Sequence, residues 1–325
     1  MMTAVQFKEY GSPDVLEIIE TEIPSIDDHE VLIDVRAIGV NYADTARREG
    51  IYVVPTPLPF IPGAEVAGVI SNKGGKVENV ELGSRVAVLI EHSGYADYVA
   101  VAASHVIPLP DEITFEQAVA IPLQGLTAYH TLKTMGHIEV GDTVLVHAAA
   151  GGVGSLAVQL AKKFGASKVI ATASSEEKLN FAKSMGADEL VNYSEEDWEK
   201  QVRELTDGNG VDIALEMVGG EVFNKTVRCL AEFGRLVVFG AASGEMAEFN
   251  PSMLMGRNQT VSGFFLPQIM KRPNLLLPSL QEIMTLVSTG ELKVTIWDQY
   301  PLREAAEVHR ILQSRKTNGK IVLIP

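Results

Sequence analysis

The sequence predicts an α/β chain of two domains, one a doubly wound parallel sheet and the other mainly β. Three observations predict it. The length of 325 residues exceeds what a single hydrophobic core ordinarily organises. The first third reads as short strands separated by turn residues, by alternation and punctuation. From about Pro122 apolar strands alternate with helices, the pattern that builds a parallel sheet.

Taken in order, the first part predicts strands at Val15–Ile23, Glu30–Val40, Ser84–Ile90 and Tyr95–Ala102, a short amphipathic helix at Ala43–Glu49, and a loop carrying Pro55, Pro57, Pro59 and Pro62. Six strands are then expected at Thr143–His147, Lys168–Thr172, Glu189–Tyr193, Asp212–Met217, Arg235–Gly240 and Gln259–Phe264. Helices fit between them at Val153–Phe164, Ser175–Met185, Glu195–Leu205 and Glu221–Ala231. Six strands joined by right-handed crossovers form the Rossmann arrangement. Helices near Leu275–Ser288 and Leu302–Arg315 precede an apolar strand, Lys320–Ile324. That strand cannot extend the parallel array without another crossover, so it is assigned back to the first domain. The expected domains are therefore 1–120 with 266–325, and 121–265.

Composition narrows the partners. With 27 Lys plus Arg against 42 Asp plus Glu, the net charge of -15 repels nucleic acid and anionic membrane surfaces. The single cysteine, Cys229, allows no intramolecular disulfide and no cysteine-based zinc site. The start, Met1 to Lys8, carries no apolar signal core, so a cytoplasmic location is expected. The uncharged run between Asp142 and Lys162 is long enough for a membrane span, but Gly151, Gly152 and Gly154 divide it into strand, tight turn and helix.

That run carries the chemistry. Val144 to Gly154 leaves a buried strand and enters a helix through Ala149, Gly151, Gly152, Val153 and Gly154, matching the dinucleotide fingerprint with Ala149 at its first glycine. Gly151 lets the backbone approach a pyrophosphate, Gly154 allows close helix packing, and the helix N-terminus offers amide donors. The second strand normally ends in an acidic residue that binds the adenosine ribose 2′-hydroxyl; here it ends Ala171-Thr172-Ala173-Ser174-Ser175. Lys178, one helical turn on, is placed to meet a 2′-phosphate and Ser174 to donate a hydrogen bond, which favours NADPH. The competing reading makes Ser174 a helix cap and Lys178 a solvated charge, and the neighbouring Glu176 and Glu177 weigh on that side.

The segment Val40 to Tyr52, with Pro62-Gly63-Ala64-Glu65-Val66-Ala67-Gly68, Gln124-Gly125-Leu126-Thr127-Ala128 and Ala148 to Gly154, resembles the zeta-crystallin-like quinone oxidoreductases, a zinc-less branch of the medium-chain dehydrogenase/reductase superfamily. The resemblance spans essentially the whole chain, in order. It implies a GroES-like substrate domain beside the Rossmann domain, an active site in the cleft between them, and a homodimer paired through the segment around Gln259 to Leu266. It places Asn41 and Thr127 at the nicotinamide end, Lys178 and Tyr193 at the 2′-phosphate, and Gly240 and Phe265 along the cofactor. Arg315 is a further phosphate or ribose candidate. Tyr52 is divided evenly between pocket and loop packing, and Asn41 competes with an Asx turn. Asp44 and Arg47 read as a surface pair and His147 as a satisfied core residue.

Zinc-containing members of the superfamily place a cysteine near Asn41 and a histidine where Ala64 stands, and neither asparagine nor alanine is a usual zinc ligand. The resemblance thus implies metal-free hydride transfer from NADPH to a quinone or conjugated carbonyl, whose own π system disperses the developing charge. Water or Tyr52 would deliver the proton. The alternatives are an NADPH-dependent alkenal, enone or enoyl-thioester reductase on the same architecture, and a non-catalytic dinucleotide-binding structural or regulatory protein.

Overall fold

A computed structural model of the chain describes residues 1–245 and 247–325. It divides into two compact units, Met1–Leu123 with Val294–Pro325, and Gln124–Lys293.

The strands in chain order are β1 (Met2–Gln6), β2 (Glu17–Thr21), β3 (Glu30–Val40), β4 (Glu65–Lys73), β5 (Arg85–Leu89), β6 (Tyr98–Ala102), β7 (Val106–Pro108), β8 (Thr143–Val146), β9 (Lys168–Ala173), β10 (Glu189–Asn192), β11 (Val211–Glu216), β12 (Leu230–Val238), β13 (Thr260–Gly263), β14 (Ile296–Pro301) and β15 (Lys320–Ile324). In the first unit one sheet runs β14-β15-β3-β4-β5-β7, with β6 also on β3, and β1 pairs with β2 in a hairpin-like pair of its own. β3 is its spine: it pairs antiparallel with β4, β6 and β15. Apolar side chains of β3, β4, β5 and β15, among them Ile33, Ile38, Val66, Val86 and Leu323, form the core, and their burial from water supplies the main driving force. The C-terminal strand belongs to this unit, as expected.

The second unit holds a parallel sheet in the order β10-β9-β8-β11-β12-β13. The chain winds outward from β8 in one direction to β10, then from β11 to β13 in the other, so the order reverses between β8 and β11. In open parallel sheets a ligand crevice forms at such a reversal, beyond the carboxyl ends of the strands.

The expected break at 265/266 is corrected to Lys293/Val294, and the first break falls at Leu123/Gln124 rather than 120/121. The reason is packing of the helix Pro273–Ser288 on the helix Leu126–His130. The Tyr129 hydroxyl donates to Glu282 at 2.7 Å, His130 Nε2 meets Ser279 Oγ at 2.9 Å, and Gln159 exchanges hydrogen bonds with the backbone of Lys293 at 3.0 and 2.8 Å. Among the described residues no helix is long and apolar enough to cross a membrane; the uncharged run after Asp142 is β8, a turn and the helix Gly152–Lys163.

Candidate active site

At the end of β8 the backbone must reverse into a helix within a few residues. Ala148 does so in the left-handed region at φ 47°, uncommon for a residue with a Cβ. The Gly151 amide closes the turn on Ala148 O at 2.8 Å, and Ala149 N bonds Thr172 O of β9 at 3.0 Å. Gly151 is the N-cap of the helix Gly152–Lys163, whose opening amides have no intrahelical acceptor and point where an anion is favoured.

The glycines divide into two kinds. A Cβ on Gly154 would lie 2.4 Å from Ala148 O and 2.7 Å from Ala149 Cα, so this glycine serves helix-on-strand packing. On Gly151 it would meet only Ala148 O, at 3.2 Å, from an extended backbone; the fold itself makes a weak demand there. Gly154→Ala is expected to lower stability by about 1–3 kcal/mol, the usual cost of overpacking, whereas Gly151→Ala keeps Tm within a few degrees and weakens NADPH binding about tenfold or more. Thermal melts and a coenzyme titration on the two variants check the contrast. Gln124, quoted in the sequence motif but given no role there, sits against Gly152, where a Cβ would fall 2.1 Å from its Oε1. Thr127 is buried one turn further along.

His147, just after β8, is buried between Thr172 and Thr226 hydroxyls at 2.7 Å each. Thr226 spends its proton on Val222 O, so Nε2 carries the imidazole proton and Nδ1 accepts from Thr172. Burial pushes its pKa down to about 3, and it remains a neutral core residue, as expected. Glu216, at the end of β11 beside β8, binds the Val218 and Gly219 amides through Oε1 at 2.7 and 2.9 Å while its buried Oε2 has no partner among the described residues. Nothing local in the sequence marks it.

The ribose candidates gather at neighbouring strand ends. Asn192 of β10 is in register with Ala173 of β9, and Tyr193 N bonds Ala173 O at 3.2 Å. Ser175, not Ser174, caps the next helix by accepting from Lys178 N at 3.4 Å, its extended backbone lying immediately ahead of the first helical residue, Glu176. Ser174 is left exposed at the strand tip, with Lys178 half-buried in the first helical turn and Glu176 and Glu177 exposed. Gly240 is exposed beyond β12, and Phe265 caps the helix Leu266–Met270 after β13. Arg315 belongs to the first unit: it is exposed, at φ 57°, on the turn after the helix Ala305–Gln313.

Asn41 and Tyr52 belong to the first unit. Asn41 follows β3 and precedes the helix Tyr42–Glu49, and is 3% exposed. Its Nδ2 donates to Glu65 Oε1 at 2.8 Å and its Oδ1 accepts from Lys320 Nζ at 2.9 Å. Glu65 and Lys320 are themselves 2.5 Å apart and fully buried. The Asp44–Arg47 surface pair is corrected. Asp44 is 2% exposed, and its carboxylate accepts the Asn41 and Gly63 amides at 2.9 and 3.2 Å. As the third helical residue it points back to the Asn41 amide at the helix start, which has no intrahelical acceptor, while the Gly63 amide comes from the loop before β4. Burial pushes its pKa up to about 6 against those hydrogen bonds. Arg47 instead lies 4.3 Å over the Tyr52 ring and 5.4 Å from that of Phe60, a cation–π arrangement. Burial raises the Tyr52 pKa, with Arg47 opposing, so its phenol stays a proton donor near neutrality.

A parallel sheet with a glycine turn at its switch point, on a chain whose other unit is a mainly antiparallel sheet with the C-terminal strand inserted between β14 and β3, defines the medium-chain dehydrogenase/reductase class. Residues 27–111 match the alcohol dehydrogenase GroES-like domain and residues 152–282 the zinc-binding dehydrogenase family. The chain belongs to the quinone oxidoreductase family within that class. It is 37% identical over 327 residues to quinone oxidoreductase of Pseudomonas aeruginosa, covering 100% of both chains. It is 34% identical to human quinone oxidoreductase, covering 100% of this chain and 98% of that one. The crystal structure of Escherichia coli quinone oxidoreductase complexed with NADPH superposes with a TM-score of 0.94 at 34% identity, over 99% of this chain and 100% of that one.

Despite the name of the matched family, the donors near Asn41 do not suit zinc. A carboxamide and the Ala64 methyl stand where ligands would be needed, and an ammonium already occupies the oxygens of Asn41 and Glu65. A dication brought to those atoms would meet that charge.

Proposed function

We propose that this chain is an NADPH-dependent quinone reductase that transfers hydride to quinones and related conjugated carbonyls without a metal. The observation that carries it is the glycine turn at the sheet reversal, whose Gly151 the fold barely needs, in a chain matched end to end by an enzyme complexed with NADPH. When bound, NADPH supplies the hydride. Gly151, Gly152, Val153 and Gly154 would hold its pyrophosphate with helix amides, Ser174, Lys178 and Tyr193 its 2′-phosphate, and Ala149, Thr127, Gly240 and Phe265 its remaining length. Arg315, of the first unit, is kept as a further phosphate or ribose contact.

Asn41 orients the reacting end through its fixed carboxamide, and Tyr52 offers a phenolic proton to the reduced acceptor. Positioning supplies much of the rate, because a quinone spreads the incoming charge over its own ring. Tyr52 also favours a second acceptor class, alkenals and enones, which need a proton at carbon after hydride addition. NADPH oxidation against a quinone, an alkenal and an enoyl thioester tests the reading; turnover with the quinone foremost supports it, and none with any acceptor removes it. Asn41→Ala is expected to reduce kcat about tenfold or more with the circular dichroism spectrum retained.

Two copies would pair through β13, which ends the parallel sheet with one edge unpaired within it. The cytoplasm is the compartment proposed, in keeping with one buried free cysteine.

A further inference from the structure

We propose that Glu65 and Lys320 are positioning residues for the reaction: together they lock the Asn41 carboxamide in one of its two orientations. The inference rests on the reading that Asn41 meets the reacting end.

A terminal carboxamide turns about a broad, two-fold torsion, and a half-turn exchanges Oδ1 with Nδ2 at little intrinsic cost. Here the two neighbours are opposites. The Lys320 ammonium only donates and the Glu65 carboxylate only accepts. Lys320 Nζ therefore fixes Oδ1, at 2.9 Å, and Glu65 Oε1 fixes Nδ2, at 2.8 Å. The flipped amide would set N–H against ammonium and carbonyl against carboxylate.

The clamp is itself held in place. Glu65 Oε2 accepts the Leu123 amide at 2.9 Å, and its chain lies where a side chain on Gly39 would be: a Cβ there would come 2.6 Å from Glu65 Cγ and Oε1 and 2.5 Å from Val119 O. The three members come from β3's end, β4 and β15, with Glu65 and Lys320 separated by 255 positions. Other titratable groups facing them are Asp44, which acts coulombically on Lys320 and Glu65, and Tyr95, whose hydroxyl is 3.5 Å from Asp44. Neither completes the ring. A buried ion pair is weak support for stability, since apolar residues of similar volume often do as well. Orientation of the amide gives this pair a purpose that apolar substitutes would not serve.

The test combines Glu65→Gln/Lys320→Met, which removes both charges at similar volume, with Asn41→Ala. With saturating NADPH, the double variant should lower kcat about tenfold per folded molecule, with KM for the quinone within about threefold. Adding Asn41→Ala to it should cost less than about twofold more, because the pair acts through that amide. Lys320→Met alone leaves Glu65 buried without its cation, so kcat should acquire a pH dependence that the double variant lacks. If the double variant folds poorly, Glu65→Gln alone carries the test, with several-fold loss in kcat expected. A fully active double variant beside a slow Asn41→Ala, or losses that multiply, would overturn the inference and leave the reading of Asn41 standing. Full turnover in Asn41→Ala would remove both.

Discussion

Lys178→Glu is expected to raise the KM for NADPH by about one to two orders of magnitude while changing that for NADH less than about threefold. A charge-assisted hydrogen bond contributes roughly 1.5–3 kcal/mol, and each 1.4 kcal/mol is about tenfold in affinity. The strand tip lacks the acidic residue that would select a 2′-hydroxyl. Ser175 takes the capping role and leaves Ser174 exposed, and Glu176 and Glu177 are both exposed, whereas Lys178 is half-buried in the turn that follows β9. Only a phosphate on the ribose would feel the change of sign fully. Steady-state kinetics with the two coenzymes decide it, and equal effects on both would detach Lys178 from the phosphate.

Acidification from pH 7 to pH 5 is expected to reduce unfolding free energy by about 3–5 kcal/mol. His147 and His309 are fully buried and neutral, and burial, aided at His309 by the Arg48 guanidinium, pushes each pKa from 6.5 down to about 3, while burial brings that of His130 down to about 4. A depressed folded-state pKa gives stability that is complete above 6.5 and lost as pH falls toward 3, because the unfolded chain takes up the proton first. Each histidine accounts for roughly 2 kcal/mol at pH 5. Asp44 acts in the opposite sense: its pKa rises from 3.8 to about 6, so the folded chain gains its proton first and recovers about 1 kcal/mol over the same interval. Urea titrations at the two pH values measure the difference, and equal or greater stability at pH 5 would contradict the neutral-histidine assignment.

How far the chain could be read from its residues depended on whether the cause was local. β3 was legible to the residue, because Glu30–Val40 is a long apolar-rich run between turn residues. The glycine turn was legible because small residues there have few other uses. β14 was not: Ile296–Pro301 is a mostly exposed edge strand with Asp298 and Gln299 in it. β4 was obscured by Gly68, whose Cβ would lie 2.1 Å from Asp34 O of β3; the glycine reads as a break but permits close pairing. The helix Pro273–Ser288 gave no sign of its unit, since its partners, Tyr129 and His130, lie about 150 residues earlier. The ring around Asn41 was hidden for the same reason. Glu65 and Lys320 look like surface charges one at a time, although each opens an apolar run, Glu65 before Val66 to Ile70 and Lys320 before Ile321 to Ile324, the one signal that pointed to burial with a partner.

The central claim is that a reduced dinucleotide seated at the Gly151 turn serves a reaction that needs no divalent ion. The most direct measurement is NADPH oxidation with a simple quinone by protein dialysed against chelator, with metal content determined on the same sample. The account predicts undiminished turnover at negligible zinc, preferring NADPH over NADH. Turnover that disappears with the metal and returns on adding zinc would contradict it.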